Sequence, residues 1–578
     1  MNKTYLLLDI LWFVWMLKYV LFWLYLWQLK EYHIGRFADH FRTYKGKKLI
    51  FNFVQIFKLF LLILFLVAGG FLVYLSSILL LLYFGELILF LRGIINKSIK
   101  KPKITFKILF LGAISFIITV LFLLWILRFK KSYTPISLLG FDILTPIIVS
   151  LIVLLFQPIF VAIRNNTLRK ARKKIEKIKL VSGLKVIAIT GSYGKTSTKE
   201  FLSAILSEKF KVLKTNEHQN SEIGIAKCIL RDLKPMHQIF IAEVGAYSKG
   251  KVREVCSFLK PKVGVVTGVN EQHLALFGSM ENLLSAEGGG ELASALYNGG
   301  LLIVNGDNKY CLDLYKKWVS HSEPTPPSML DRNIDSLEGG VARPACKIYS
   351  LSNKIIDSDI WSEDVEVDKD HISFIGMDKR KEMAHFEARV LGKQNVQNLL
   401  GAILVAKELG MNFGEISEAC KNISEEQAGM TLKHGKHGIN IIDSSYSANP
   451  DGVFADLDYL SVFDANPPSP VGYGRAKKVI VMPCLIELGE KSMEIHEKIG
   501  RKIAEVCDLA IITSKDKFDD LKRGAIKSGL EEKNIILCAS PKDIYLMITL
   551  FCKSDDAVLL EGRVPPGLIT LLAGDKNL

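Results

Sequence analysis

The chain has 578 residues, 49% of them apolar, and a formal net charge of +15. At roughly 100–200 residues per domain this length suggests about three to five units, and the composition excludes a disordered chain, a collagen and a small disulfide scaffold. Residues 1–180 hold 26 Lys and Arg against six acids (Asp9, Glu31, Asp39, Glu86, Asp142, Glu176), a net of +20 that leaves −5 for residues 181–578. The basic excess therefore lies in the apolar third, where membrane topology explains it better than nucleic-acid binding does.

A membrane-crossing helix needs about 20 apolar residues. Residues 6–27 qualify, interrupted by Asp9 and Lys18. Residues 59–91 form an apolar run too long for one crossing. With Gly69-Gly70 and Ser76-Ser77 near its middle, it reads as a hairpin of two spans. Residues 108–127 and 143–163 complete a set of five. The first run is too long for a cleaved signal peptide, and further spans follow it. Residues 28–50 and 92–107 carry six Lys or Arg each, and eight more run from Arg164 to Lys179. All three clusters go inside when the N-terminus is outside. Arg128, Lys130 and Lys131 then fall outside, and residues 181–578 lie in the cytoplasm under the cell (inner) membrane. Five spans exceed what tethering needs, and Glu86 within one of them points to handling of a lipid-linked substrate. Plain anchoring is the alternative.

The nine cysteines all follow position 227 and none forms a CxxC pair. A zinc ribbon has no support, and scattered thiols suit a reducing compartment.

Residues 185–190 (KVIAIT) read as a short buried strand. Gly191-Ser192-Tyr193-Gly194-Lys195-Thr196-Ser197-Thr198 follows, then a helical pattern over 199–206. Strand, glycine loop with Lys-Thr and helix make the context of a P-loop, in a short GxxGKT spacing. Glycines let backbone N–H groups approach phosphate, and the helix N-terminus adds its dipole. Lys195 is placed on the β/γ-phosphates of ATP and Thr196 on Mg2+. Glu243 follows an apolar strand run (238–243), at the strand end where open α/β sheets bind ligands.

The words from Thr190 to Glu200 resemble the nucleotide loop of the Mur ligases, and within them the MurF type, which adds D-Ala-D-Ala to UDP-N-acetylmuramoyl-tripeptide. Further words match in order: Thr215-Asn216, Asn220-Ser-Glu-Ile-Gly224, Ile241-Ala-Glu-Val-Gly245, Asn270-Glu-Gln-His273, Gly392-Lys-Gln-Asn395-Val-Gln-Asn398, and Asp443-Ser-Ser-Tyr446-Ser-Ala-Asn-Pro450. The resemblance spans about residues 183–575. It implies carboxylate activation: the γ-phosphoryl of ATP passes to an acid, and an amine attacks the acyl phosphate. By the same resemblance Lys195, Glu243 and His273 are catalytic, with Thr196, Glu243 and His273 as metal ligands. Gly191, Ser192, Gly194, Lys195, Thr196, Ser197, Asn395, Asp443 and Tyr446 hold the nucleotide, Asn395 meeting the adenine. Asn398 caps or packs the following helix.

Several positions depart from the family. Its carbamylated lysine falls on Gly289, and no lysine occurs from Val263 to Asn308. Either the second metal is held by Glu287 or Glu291, or activity is reduced. Ala428-Gly429-Met430 lacks an arginine, Ser444 replaces an aspartate, and Lys393 stands where histidine is common. The membrane spans occupy the place of the domain that grips the UDP-sugar, which points to a lipid-carried muropeptide, or to UDP recognition by another component. The four-cysteine zinc insert of the member that amidates lipid-linked muropeptides is missing.

The expected architecture is an α-helical membrane region (1–180) with about five spans, then two α/β domains. These are a P-loop Mur-ligase central domain (181–385) and a Rossmann-like C-terminal domain (386–578). Strands are expected at 185–190, 238–243, 263–267 and 301–305, then at 439–443, 478–482, 510–513 and 557–560. The Pro-rich stretches 322–344 and 465–474 read as surface loops. ATP sits between the two domains. The expected function is ATP-dependent amide ligation of peptidoglycan precursors, joining D-Ala-D-Ala or a similar amine to a muramoyl-peptide, with no nucleic-acid partner. A degenerate membrane-anchored nucleotide-binding scaffold and a folylpolyglutamate-like ligase are the alternatives.

Overall fold

The computed structural model describes residues 3–30, 32–67, 72–95, 99–129, 134–217, 219–296, 299–319, 344–354, 356–446, 448–464 and 476–574. The chain divides into two compact units, Met1–Arg164 and Asn165–Leu578.

The first unit is helical: α1 (Lys3–Leu29), α2 (Ile34–His40), α3 (Tyr44–Ile50), α4 (Phe53–Val67), α5 (Leu72–Ile95), α6 (Phe106–Phe129), α7 (Thr134–Leu155) and the start of α8 (Gln157–Ser182). Five stretches are long and apolar enough to cross a membrane: Tyr5–Leu29, Gly46–Val67, Ser76–Ile95, Phe106–Arg128 and Thr134–Leu155. The number matches the expectation from sequence, but two sets of bounds differ. The paired spans start before residue 59, because α4 begins at Phe53. Ser76 and Ser77 lie inside α5, and Gly69-Gly70 falls outside the described residues, as do Lys130 and Lys131. The last span is Thr134–Leu155 rather than 143–163. Ile159 to Ile163 are apolar, yet the helix restarts at Gln157 with Pro158 in its first turn, where a missing N–H costs nothing.

Polar groups meet inside this unit. Lys58 on α4 is fully buried and donates to Asp142 Oδ2 on α7 at 2.7 Å and to Glu86 Oε1 on α5 at 3.1 Å. Tyr83 OH donates to Asp142 Oδ2 at 3.0 Å, and Trp15 Nε1 on α1 donates to Asp142 Oδ1 at 3.2 Å. Four helices thus share one ionic network. Charged groups cut off from water need partners of this kind, and Glu86 is buried among these helices.

The second unit opens with the rest of α8, which buries Ala171, Ile175 and Ile178. It holds two sheets. The first has nine strands in the order β2-β3-β1-β4-β5-β6-β7-β8-β9. Its strands are β1 (Lys185–Thr190), β2 (Val212–Lys214), β3 (Ile239–Glu243), β4 (Val263–Val266), β5 (Leu301–Asn305), β6 (Ala345–Ser350), β7 (Ile360–Val367), β8 (Ile372–Asp378) and β9 (Met383–Ala388). Pairing is parallel from β2 to β7 and antiparallel across β7-β8-β9. Helices α9 (Lys195–Ser207), α10 (Glu222–Asp232), α11 (Lys251–Leu259), α12 (Leu274–Phe277), α13 (Met280–Ala286), α14 (Gly290–Ser294) and α15 (Lys309–Val319) connect the early strands.

The second sheet has six strands in the order β10-β11-β15-β12-β13-β14. They are β10 (Thr431–His434), β11 (Asn440–Ser444), β12 (Lys478–Met482), β13 (Leu509–Ile512), β14 (Ile535–Leu537) and β15 (Ala557–Glu561). Only the β10 edge is antiparallel. The eight strands expected from sequence are present within one residue or so at each end, because buried parallel strands read as continuous apolar runs.

The segment that follows residue 386 stays with the first sheet for some forty residues. Helices α16 (Gln394–Glu408) and α17 (Phe413–Cys420) pack on the first sheet, where Leu399, Leu400 and Ile403 share a core with Ile187, Ile189 and Phe201. The second sheet starts only at Thr431. The two compact units meet within α8, at Arg164, so its later turns lie in the second unit. The Pro-rich stretches lie almost wholly outside the described residues. All nine cysteines are free thiols, seven of them buried.

Candidate active site

β1 ends at Thr190, and the chain turns through four residues into α9. Gly191 and Gly194 take φ of +140° and +76°, a region that favours glycine. A Cβ on Gly191 would lie 2.4 Å from Thr267 Oγ1. The loop backs onto the end of β4, with Ser192 N donating to Gly268 O at 2.7 Å and Thr267 Oγ1 donating to Tyr193 O. Lys195 opens α9, and its Nζ donates to the carbonyls of Gly191 and Ser192. Ser197 Oγ donates to Ala428 O at 3.1 Å, tying the first turn of α9 to the segment before β10.

Glu243 closes β3 beside this loop. Its Oε2 accepts from Thr196 Oγ1 at 3.1 Å and from Lys199 Nζ at 3.2 Å, and its Oε1 accepts from Asn220 Nδ2 at 3.0 Å. Thr215 Oγ1 accepts from Glu243 N at 3.1 Å. The quoted words around Thr215 and Asn220 therefore converge on this carboxylate. Burial works to raise its pKa, but the Lys199 and Lys195 charges and the Asn220 hydrogen bond outweigh it and hold the carboxyl below its ordinary value. Lys199 is fully buried and also pairs with Glu200 at 3.3 Å. Its role was not read from sequence, since a lysine on a helix after a P-loop looks like a solvated one.

His273 precedes α12, and its Nδ1 lies 2.8 Å from Glu287 Oε1. Glu287 Oε2 accepts from Ser192 Oγ at 2.9 Å. This carboxylate is 1% exposed. Burial pushes it up, but the His273 partner, Lys195 and Ser192 hold it below its ordinary value. Gly289, two residues on, takes φ +86°. A Cβ there would lie 2.4 Å from Val266 Cγ2 and 3.0 Å from Leu314 Cδ2, so no side chain fits without moving β4. Glu291 does not reach the loop. It accepts from Gly250 N at 2.6 Å and Arg253 N at 2.8 Å, capping α11.

Among the described residues, no three His, Cys, Asp or Glu side chains converge as a metal cluster. Donors come as two pairs flanking the loop, Thr196 with Glu243 and His273 with Glu287. Magnesium carried by a nucleotide takes few protein ligands and fills its shell with phosphate oxygens and water, so the oxygen donors of Thr196, Glu243 and Glu287 fit it.

Helix α18 (Pro450–Leu460) and the loop before it bring in the second sheet. Asn270 Nδ2 donates to Asp451 Oδ2 at 2.6 Å and to Asn449 Oδ1 at 3.1 Å, and Gln272 Nε2 donates to Ala448 O at 3.3 Å. Asp443 accepts from Lys433 Nζ at 2.8 Å and from Ser445 Oγ at 2.6 Å. Burial raises the Asp443 carboxyl, but Lys433 and Ser445 outweigh it and hold it low. Tyr446 is exposed, and burial of its hydroxyl together with the charges of Glu243 and Glu217 pushes that hydroxyl up. Asn395 is buried, with its Nδ2 on Leu391 O at 2.8 Å and its Oδ1 accepting from Asn398 Nδ2 at 3.0 Å. Asn398 is the one that abuts the loop: a Cβ on Gly194 would lie 2.5 Å from its Oδ1.

Residues 189–325 match the Mur ligase middle domain, and residues 430–564 match the Mur ligase, glutamate ligase domain. The chain is 27% identical over 425 residues to the UDP-N-acetylmuramoyl-tripeptide–D-alanyl-D-alanine ligase of Mycobacterium leprae, covering 71% of this chain and 77% of that one. The enzyme of the same name from Escherichia coli is 27% identical over 320 residues, 55% of this chain and 61% of that one. Among solved structures, MurF from Acinetobacter baumannii superposes with a TM-score of 0.56 at 21% identity, covering 70% of this chain and 78% of that one. MurF from Thermotoga maritima in complex with ADP gives 0.55 at 21% identity, covering 69% and 80%. The first of the two matched domain models begins at residue 189, beyond the helical unit. The chain thus carries a Mur ligase middle domain followed by a Mur ligase, glutamate ligase domain, matched in order on the sheets that hold the loop and its partner module.

Proposed function

We propose that this protein is a membrane-embedded, ATP-dependent ligase of peptidoglycan precursor synthesis, joining D-Ala-D-Ala or a similar amine to a muramoyl-peptide carboxylate. The observation that carries the reading is the Thr196–Glu243 pair, at 3.1 Å, beside Lys195 on the P-loop. The loop's N–H groups and the Lys195 ammonium bind and orient the triphosphate. Thr196 and Glu243 would hold Mg2+, with His273 toward a second ion, and magnesium would supply charge neutralisation for phosphoryl transfer. The acid attacks the γ-phosphorus, ADP leaves, and the amine nitrogen displaces phosphate from the acyl phosphate. The Asn270 contact to Asp451 and Asn449 keeps the modules closed over the loop, which excludes water from the acyl phosphate.

The five candidate spans support a multi-pass protein of the cell membrane. The Lys/Arg distribution supports an outside N-terminus and cytoplasmic ligase modules. Where relatives grip a UDP-sugar, this chain has spans, which favours a lipid-linked acid. A second reading, a nucleotide-binding scaffold without turnover, is favoured by Gly289, where no side chain fits.

The test is ADP release by the full-length protein in detergent, with UDP-MurNAc-tripeptide or its lipid-linked counterpart and with D-Ala-D-Ala, using Lys195→Ala as blank. Release requiring both acid and amine establishes the ligase, and the better acid assigns the spans. Nucleotide binding with no release above the blank favours the scaffold.

A further inference from the structure

Glu287 sits 95 residues from Ser192 in sequence, yet its carboxylate joins the P-loop hydroxyl to the imidazole of His273. It is among the most buried acids of the second unit, at 1% exposure. Its neighbours place it there. The α13–α14 turn runs through Gly289 at φ +86°, packed so closely on Val266 that the chain at that point has no room for a side chain. The turn thus presents Glu287 inward, while Glu291 is used to cap α11.

The chemistry of the contact fixes a tautomer. An ionised carboxylate only accepts hydrogen bonds, so at 2.8 Å from Glu287 Oε1 the His273 Nδ1 carries the proton. Nε2 is then the lone-pair nitrogen, and no protein group among the described residues is bonded to it. A ring anchored through Nδ1 to a carboxylate, with Nε2 free, is the arrangement that orients histidines toward metal ions.

We propose that Glu287 is a positioning residue of the phosphoryl-transfer site. It locks His273 with Nε2 available to a divalent cation carried with the nucleotide, supplies the negative charge beside that ion, and ties the ring to P-loop Ser192. The site needs no modified lysine. The proposal rests on the nucleotide-site reading above.

Mn2+ binding followed by electron paramagnetic resonance tests it, on full-length protein in detergent with a non-hydrolysable ATP analogue. Wild type is expected to bind two nucleotide-dependent Mn2+ ions per chain. Glu287→Gln is expected to weaken one of them by about 10–100-fold, leaving the other ion, analogue affinity and the melting midpoint of the metal-free protein within about threefold or a degree or two. Glu287→Asp, which keeps the charge, is expected to recover part of the loss and serves also if the amide variant misfolds. His273→Ala should remove the same ion. Two equal ions in Glu287→Gln, one ion in wild type, or a parallel fall in analogue affinity would each overturn the proposal. Absence of any nucleotide-dependent Mn2+ in wild type would overturn the nucleotide-site reading together with it.

Discussion

Asn270 and Asp451 are 181 residues apart and meet at 2.6 Å, from the loop after β4 to the first turn of α18. This contact ties the P-loop module to the start of α18 and so to the second sheet. Burial raises the Asp451 carboxyl, so its partner matters. Asn270→Ala is expected to lower kcat by about tenfold or more, as loss of a hydrogen bond worth about 1.5–3 kcal/mol implies. Binding of ATP alone should change little. Steady-state ADP release beside equilibrium nucleotide binding separates the two.

Two lysines of the P-loop helix are predicted to behave oppositely. Lys195 lies on loop carbonyls and is part-buried. Lys195→Ala should leave the melting midpoint nearly unchanged and cut turnover by at least about 10²-fold, the scale seen when one donor to developing charge is removed. Lys199 is fully buried between Glu200 and Glu243. Lys199→Met takes the buried ammonium from Glu243, while Glu200 keeps Lys214, and should cost about 3–5 kcal/mol of stability. Thermal unfolding and turnover of both variants check the contrast.

A pH effect on stability follows from Asp456 and Glu561. Both are buried, and burial together with the neighbouring Asp456 holds Glu561 well above the ordinary glutamate value. The folded state therefore keeps a proton that the unfolded chain releases near pH 4.5. Stability contributed by this site falls as pH rises from there toward the raised folded value. Glu561→Gln should stabilise the protein at pH 7, do little at pH 4, and flatten the pH dependence of the melting midpoint. An unchanged profile would show the site is not the source.

Within the helical unit, Lys58 carries the network to Glu86 and Asp142. Lys58→Met is expected to destabilise the unit by about 3–5 kcal/mol, and adding Asp142→Leu to recover part of the loss, because a buried pair costs most when half of it remains. Unfolding of purified protein in graded SDS would measure this.

The sequence carried the parts of this structure that depend on local pattern. β1, β3, β4 and β5 are legible because strands buried on both faces are uninterrupted apolar runs. β2 and β14 have three residues each, too few to pattern. β7 carries Glu363, Asp364 and Glu366 near the sheet edge, with a bulge in its pairing to β8, so its alternation is broken. α16 is apolar along much of its length, and only tertiary contacts assign it to the first sheet. In the site, the loop from Gly191 to Thr196 and the strand-end Glu243 are local signals. The Ser192–Glu287–His273 link and the Asn270–Asp451 contact are made by folding and leave no spacing to read.

Every native cysteine lies beyond position 227, and seven of the nine are buried. Burial pushes the thiols of Cys256, Cys311 and Cys420 up to about 12, so little reactive thiolate forms at neutral pH. The helical unit thus offers a nearly silent background for thiol labelling. A single cysteine introduced at Arg42 or Lys103 becomes a fast-reacting tag, and a membrane-impermeant maleimide applied to intact cells reads directly which side of the bilayer each basic segment occupies.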